Sequence, residues 1–239
     1  MKREIVLWLT ATLMVGLAPG WGYPTLNGPT GLVHTPTAET TEAMVGVEVD
    51  VPYINSEGGG AYNVNALVSL GARVEANASL LTVNPEQASA ENGFGLSAKL
   101  VLRPQSLLLP GLAIGAAYRD VTDVGRRTIL YLAASKQLTP RVAGSALYGH
   151  VNLSWQRFDP EVGGSVEDFV PAVGLELRMD NGLSLVADYT FENDVDGKDI
   201  LAGALRYRFK PLPLLWMQVG FADDGVFFTG LRATLALGR

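Results

Sequence analysis

The chain predicts an all-β fold, a transmembrane antiparallel up-and-down β-barrel of about twelve strands, on three observations. Apolar and polar residues alternate at a period of two through one stretch after another. The first residues read as an export signal. Beyond that signal no stretch is apolar for long enough to make a spanning helix, so any crossing of a membrane must be made by strands closed into a barrel.

The signal is expected over residues 1–22. Lys2 and Arg3 form a short basic region, an apolar run follows from Ile5 to Ala18, and Gly20-Trp21-Gly22 offers a small-x-small cleavage site. The run is shorter than the roughly 20 residues of a spanning helix. With no cysteine, the chain has no lipid-anchoring, disulfide or thiolate-metal chemistry. Residues 23–42 carry Pro24, Pro29 and Pro36 and no strand periodicity, and read as a leader long enough to enter a lumen. Residues 43–239 read as the barrel.

Twelve strands are expected at roughly 43–51, 62–70, 73–82, 94–102, 112–121, 128–136, 142–156, 169–179, 183–191, 200–209, 215–221 and 226–237. Counts of ten or fourteen stay open. In the ninth, Leu183, Leu185, Ala187, Tyr189 and Phe191 share one face, opposed by Ser184, Val186, Asp188 and Thr190. In the eighth, Val173, Leu175, Leu177 and Met179 oppose Gly174, Glu176 and Arg178. In a soluble sandwich the apolar rows would point inward; after an export signal they are expected to face lipid, with the charged rows lining a lumen. The sixth strand, TILYLAAS, is apolar on both faces and leaves its orientation open.

Connections add a second signal. Asp180-Asn181-Gly182 is a tight hairpin sequence, whereas NPEQASAEN and DPEVGGSVED read as longer polar loops, so short turns are expected on one side and long loops on the other. The apolar link Pro104 to Pro110 breaks that rule. Tyr118, Trp155, Tyr189, Phe191 and Phe221 fall near one set of strand ends, and Tyr207, Phe209 and Trp216 near the other, as interfacial girdles would. The terminal TLALGR lacks the closing aromatic of many outer-membrane barrels.

Thirteen residues are expected to line the lumen: Glu48, Asp50, Glu75, Lys99, Arg103, Arg119, His150, Glu176, Arg178, Asp188, Arg206, Arg208 and Arg232. Two arrangements are open. Paired charges could cross-link and close the interior, or they could line a narrow polar passage, since twelve strands fall between filled eight-stranded and aqueous sixteen-stranded barrels. Arg206, Arg208 and Arg232 could form a basic wall suited to anionic sugars or small anions, or pair with Glu176 and Asp188.

No catalytic residue, metal site or cofactor is expected. His150 shares its face with Tyr148, Asn152, Ser154 and Gln156, but neighbours two apart on one strand stand roughly 7 Å apart, too far for a nucleophile and its base. No Gly-x-Ser-x-Gly elbow, His-Glu-x-x-His helix or P-loop is present, and the acidic tip at Asp194, Asp196 and Asp199 lacks the closing ligand of an EF-hand. A formal net charge of −6 argues against a nucleic-acid partner.

The leader NGPTGLVHTPTAE resembles the opening of YjbH-like outer-membrane proteins through Gly31, Leu32, Val33, Thr35, Pro36, Thr37 and Ala38. The resemblance implies a barrel associated with exopolysaccharide production. The chain is shorter than the large members of that group. The expectation is thus a protein of the outer membrane of a diderm bacterium, with lipid and the barrel-assembly machinery as partners. Its pore would be narrow and would serve polysaccharide or small anions. A closed structural barrel or surface adhesin is the alternative, and a lipid hydrolase is less expected.

Overall fold

The computed structural model describes residues 23–24, 30–32, 34–39, 45–56, 59–71, 73–85, 91–195, 197–209, 215–223 and 225–236. The expected signal, residues 1–22, lies outside them. Two short strands, β1 (Tyr23–Pro24) and β2 (Thr30–Gly31), pair with each other. Twelve further strands follow: β3 (Val45–Ser56), β4 (Gly59–Leu70), β5 (Val74–Pro85), β6 (Glu91–Arg103), β7 (Gly111–Val121), β8 (Gly125–Gln137), β9 (Ser145–Pro160), β10 (Val166–Met179), β11 (Leu183–Thr190), β12 (Ile200–Arg208), β13 (Leu215–Ala222) and β14 (Val226–Ala236). Each pairs antiparallel with its sequence neighbours, and β14 pairs with β3, so the sheet closes into a barrel with no free edge.

The barrel is inside out relative to a soluble protein. On β4, Asn63, Asn65 and Ser69 are buried, while Tyr62, Val64, Val68 and Leu70 are exposed. Around the circumference Leu80, Leu96, Leu130, Leu175, Leu205 and Leu231 are each 40–68% exposed. Apolar side chains turned outward on strand after strand make a surface that water does not tolerate and a bilayer does. The protein therefore spans a membrane, and it does so with strands: among the described residues no helix is long and apolar enough to cross one.

One rim carries both ends of the barrel, the start of β3 and the close of β14; it is the terminal rim, and the opposite one the far rim. Seven of the twelve strands reach three to five residues further at the far rim than alternation alone shows. This overturns the expected contrast in loop lengths. Far-rim links such as 86–90, 122–124 and 161–165 are no longer than terminal-rim links such as 104–110 and 138–144. Four of the nine residues of NPEQASAEN and five of the ten of DPEVGGSVED belong to strand ends, because cross-strand pairing continues past the lipid-facing apolar rows. The Asp-Asn-Gly turn holds as expected: Gly182 has φ +94°, and a Cβ there would meet the Arg208 carbonyl oxygen at 2.6 Å.

Girdle pairs form at both rims, Tyr189–Phe191 and Phe94–Tyr118 at the far rim and Tyr207–Phe209 at the terminal rim. Trp216 is a correction. Its register turns it inward, where it is 1% exposed with the Arg208 and Arg232 guanidiniums 5.3 and 5.7 Å from its ring. The sixth strand resolves as β8 with Leu130 and Leu132 outward and Tyr131, Ala133 and Ser135 inward. The link after β6 is tied to the wall by Lys136, whose Nζ donates to the Ser106 and Leu107 carbonyls at 3.0 and 2.6 Å.

Candidate functional site

The lumen holds a segment of the chain itself. Residues 30–39 enter from the terminal rim, turn, and come back. The turn is closed by a bridge between Gly31 and Pro36 and by the Leu32 N–H donating to the Thr35 carbonyl at 2.9 Å. Leu32, Thr35, Thr37 and Ala38 are all 4% exposed or less. Six of the seven residues that carry the YjbH-like resemblance are described, and all six lie in this plug; Val33 lies outside the described residues.

A buried backbone must find partners for its N–H and C=O groups. Here the barrel wall supplies them. Asp188 accepts from the His34 and Thr35 amides through one carboxylate oxygen, at 2.8 Å each. Arg206 donates to the Gly31 and Leu32 carbonyls at 3.1 and 3.0 Å. Asn152 donates to the Pro36 carbonyl at 3.3 Å, and the Ala38 amide donates to Ser135 Oγ at 2.9 Å. Lys99 donates to the Glu39 carbonyl. Shape fits as well as polarity: Leu32 packs so close to Gly174 that a Cβ there would lie 2.0 Å from its Cδ1.

A charged belt anchors the returning arm. Arg178 forks onto the Glu39 carboxylate and also contacts Glu176 at 2.6 Å. Lys99 pairs with Glu75 at 2.9 Å from the directly opposed position on β5. Burial alone would raise the Glu39 carboxyl, but the Arg178 guanidinium outweighs it and holds Glu39 below its ordinary range. Buried charges of this kind persist only when paired, so the plug and the wall hold each other in place.

Of the expected lumen residues, Glu75, Lys99, His150, Glu176, Arg178, Asp188, Arg206 and Arg232 face inward and are buried. Arg103 sits half-buried at the terminal rim and donates to the Pro110 carbonyl at 3.1 Å. Arg119 stands opposite Arg127 on the inner wall. Glu48 and Asp50 belong to β3, but their side chains lie outside the described residues. Arg206 and Arg208 of β12 and Arg232 of β14 stand on near-adjacent strands, with Trp216 and Gln218 of β13 between them. Arg206 does not pair with Glu176 or Asp188: Glu176 goes to Arg178, and Asp188 to the plug.

His150 does meet a serine, from the next strand rather than its own: its Nδ1 lies 2.9 Å from Ser135 Oγ, and its Nε2 lies 3.8 Å from Glu176. The order of residue types is that of a hydrolytic triad, but Ser135 Oγ already accepts from the plug and Glu176 is clamped by Arg178. The three form a latch. Ser135 was missed because β8 is apolar on both faces, and Arg127 because two adjacent arginines hide which one faces in. Among the described residues no group of three His, Asp or Glu could hold a metal; Asp196 of the acidic tip lies outside them.

Known structures place this architecture. The KdgM porin is similar at TM-score 0.59 and 10% identity, over 78% of this chain and 98% of that one. The fold is that of an outer-membrane porin barrel. The same porin in complex with disordered oligogalacturonate gives 0.58 at 10% identity, over 80% and 99% of the two chains, and the NanC porin 0.50 at 14%, over 81% and 100%. No family model and no curated protein matches the chain.

Proposed function

We propose that this chain is an outer-membrane channel for small polar, anionic solutes, stoppered at rest by its own N-terminal segment. One observation carries the reading: residues 31–32 and 34–39 sit inside the lumen, hydrogen-bonded to its wall. The wall meets that segment with hydrogen-bonding groups, a chemistry that can release it and hydrate the interior. Withdrawal would take Glu39 out of the lumen while Lys99 and Arg178 keep Glu75 and Glu176, and the arginines of the inner wall, Arg119, Arg127, Arg206 and Arg232, would favour anions. The solved porin in complex with oligogalacturonate is consistent with an anionic saccharide as the solute. The YjbH-like resemblance of the plug adds polysaccharide export as the process served. The role is non-catalytic, and the barrel-assembly machinery would insert it.

The test is planar-bilayer conductance of the full barrel against a variant lacking residues 23–39, which removes no barrel strand. The full barrel should be quiet and the truncated one should pass current, with anions preferred. Two silent proteins that both fold would support the closed structural barrel instead.

A further inference from the structure

The lipid-facing wall is not smooth. On the outer side of β8 to β12 lies a groove of about 580 Å³. One cross-strand row, Lys136, Gly149, Leu175 and Ala187, runs along it from β8 to β11, with Val151 and Val173 beside it. Three strand spacings of ~4.8 Å make that row about 14 Å long. The stagger of the barrel makes it climb. Lys136 is the last residue but one of β8, at the terminal rim, whereas Ala187 is the fifth of the eight residues of β11. The groove therefore opens at the terminal rim and rises into the hydrocarbon layer. One acyl chain fills one leaflet, half of a core about 30 Å thick, so the groove has the length of a chain.

The low end of the groove carries a charge. Lys136 stands on the outward row of β8 with Leu130 and Leu132. Its Nζ donates to the Ser106 and Leu107 carbonyls at 3.0 and 2.6 Å, and no carboxylate among the described residues pairs with it. Asp180, at the same rim, goes to Arg141 at 3.0 Å. An ammonium has three N–H donors, so one is left for an anion. The same two bonds pin the apolar link 104–110. The Ser106 amide donates to the Leu109 carbonyl at 3.0 Å and the Leu109 amide to Ser106 Oγ at 3.1 Å, which closes a turn. That turn presents Leu107 and Leu108 at 93% and 86% exposure, and Pro110 behind it lines the groove. Leucines beside a lysine at the rim of a lipid-facing wall suit the boundary between headgroups and acyl chains.

We propose that this groove binds one anionic phospholipid from the leaflet at the terminal rim. Its phosphate takes the third Lys136 donor, one acyl chain climbs the groove, and the leucine turn packs beside the glycerol. A zwitterionic headgroup brings its own ammonium against Lys136 and is disfavoured. The site lies outside the lumen and does not depend on the stoppered-channel reading.

Native mass spectrometry of the full folded barrel in detergent tests it, with phosphatidylglycerol and phosphatidylethanolamine of the same chain length as probes. Phosphatidylglycerol should bind at least about fivefold more tightly, and Lys136→Gln should remove that preference. Equal binding of the two lipids, the mark of an unselective annular layer, overturns the proposal, as does an intact preference in Lys136→Gln. Ala187→Phe fills the groove and leaves the charge in place. It should remove most of the binding of both lipids, and undiminished binding refutes the groove. If Lys136→Gln does not fold, Ala187→Phe decides alone: loss of bound lipid supports the site and full retention refutes it.

Discussion

Replacing Asp188 with alanine should release the plug tip. One carboxylate oxygen accepts the His34 and Thr35 amides at 2.8 Å each, with Thr35 and Asp188 buried and His34 half-buried. A hydrogen bond to a charged group contributes about 1.5–3 kcal/mol, and an amide left unpaired in a buried site costs about 1–3 kcal/mol. The two bonds share one acceptor and are not additive, so about 3 kcal/mol is a fair figure, or roughly a hundredfold shift toward the withdrawn plug. The assay uses the absence of native cysteine. Thr35 is 1% exposed and its hydroxyl has no hydrogen-bond partner among the described residues, so Thr35→Cys is a quiet reporter. Maleimide should modify it slowly in the otherwise native barrel and about a hundredfold faster with Asp188→Ala added. An unchanged rate in a folded double variant would refute the reasoning.

Gly174→Val should expel Leu32, because even a methyl group at Gly174 would sit 2.0 Å from its Cδ1; the check is conductance approaching that of the truncated barrel. Glu39 is held below its ordinary 4.5 by Arg178, so its contribution is complete above the usual carboxylate range and fades as pH falls through the lowered value. Conductance should stay low from neutral pH down to the usual carboxylate range and rise only below it. Leu175→Arg puts a charge on the lipid face in mid-strand and should destabilise the barrel by about 2–4 kcal/mol, read as a lower urea midpoint of the heat-modifiable band.

The barrel was legible because every spanning strand must separate lipid from lumen, which writes a period of two along the chain. All twelve strands therefore lie where alternation puts them, and the inward rows, from Glu75 to Arg232, follow from parity. Strand ends were not legible. Past the lipid the alternation loses its cause while the pairing continues, as at β9 and β10. Trp216 misled because an aromatic near a strand end fits a girdle and a cation–π contact equally well. The plug was only partly legible. Its proline content marked it as separate from the strands, but its partners are backbone groups, and Asp188 reads as an ordinary lumen charge until His34 and Thr35 are beside it. Three-dimensional register alone brings Ser135 to His150.

The account turns on whether residues 30–39 sit inside the barrel in the membrane. A Cβ built on Gly111 of β7 would lie 3.5 Å from the Ala38 Cβ, within the span of a disulfide. Ala38→Cys and Gly111→Cys in the same cysteine-free chain should cross-link under mild oxidation in intact outer membranes, and the locked barrel should stay silent in a bilayer until the bond is reduced. Two thiols that remain free and open to maleimide in a folded, heat-modifiable barrel would contradict it.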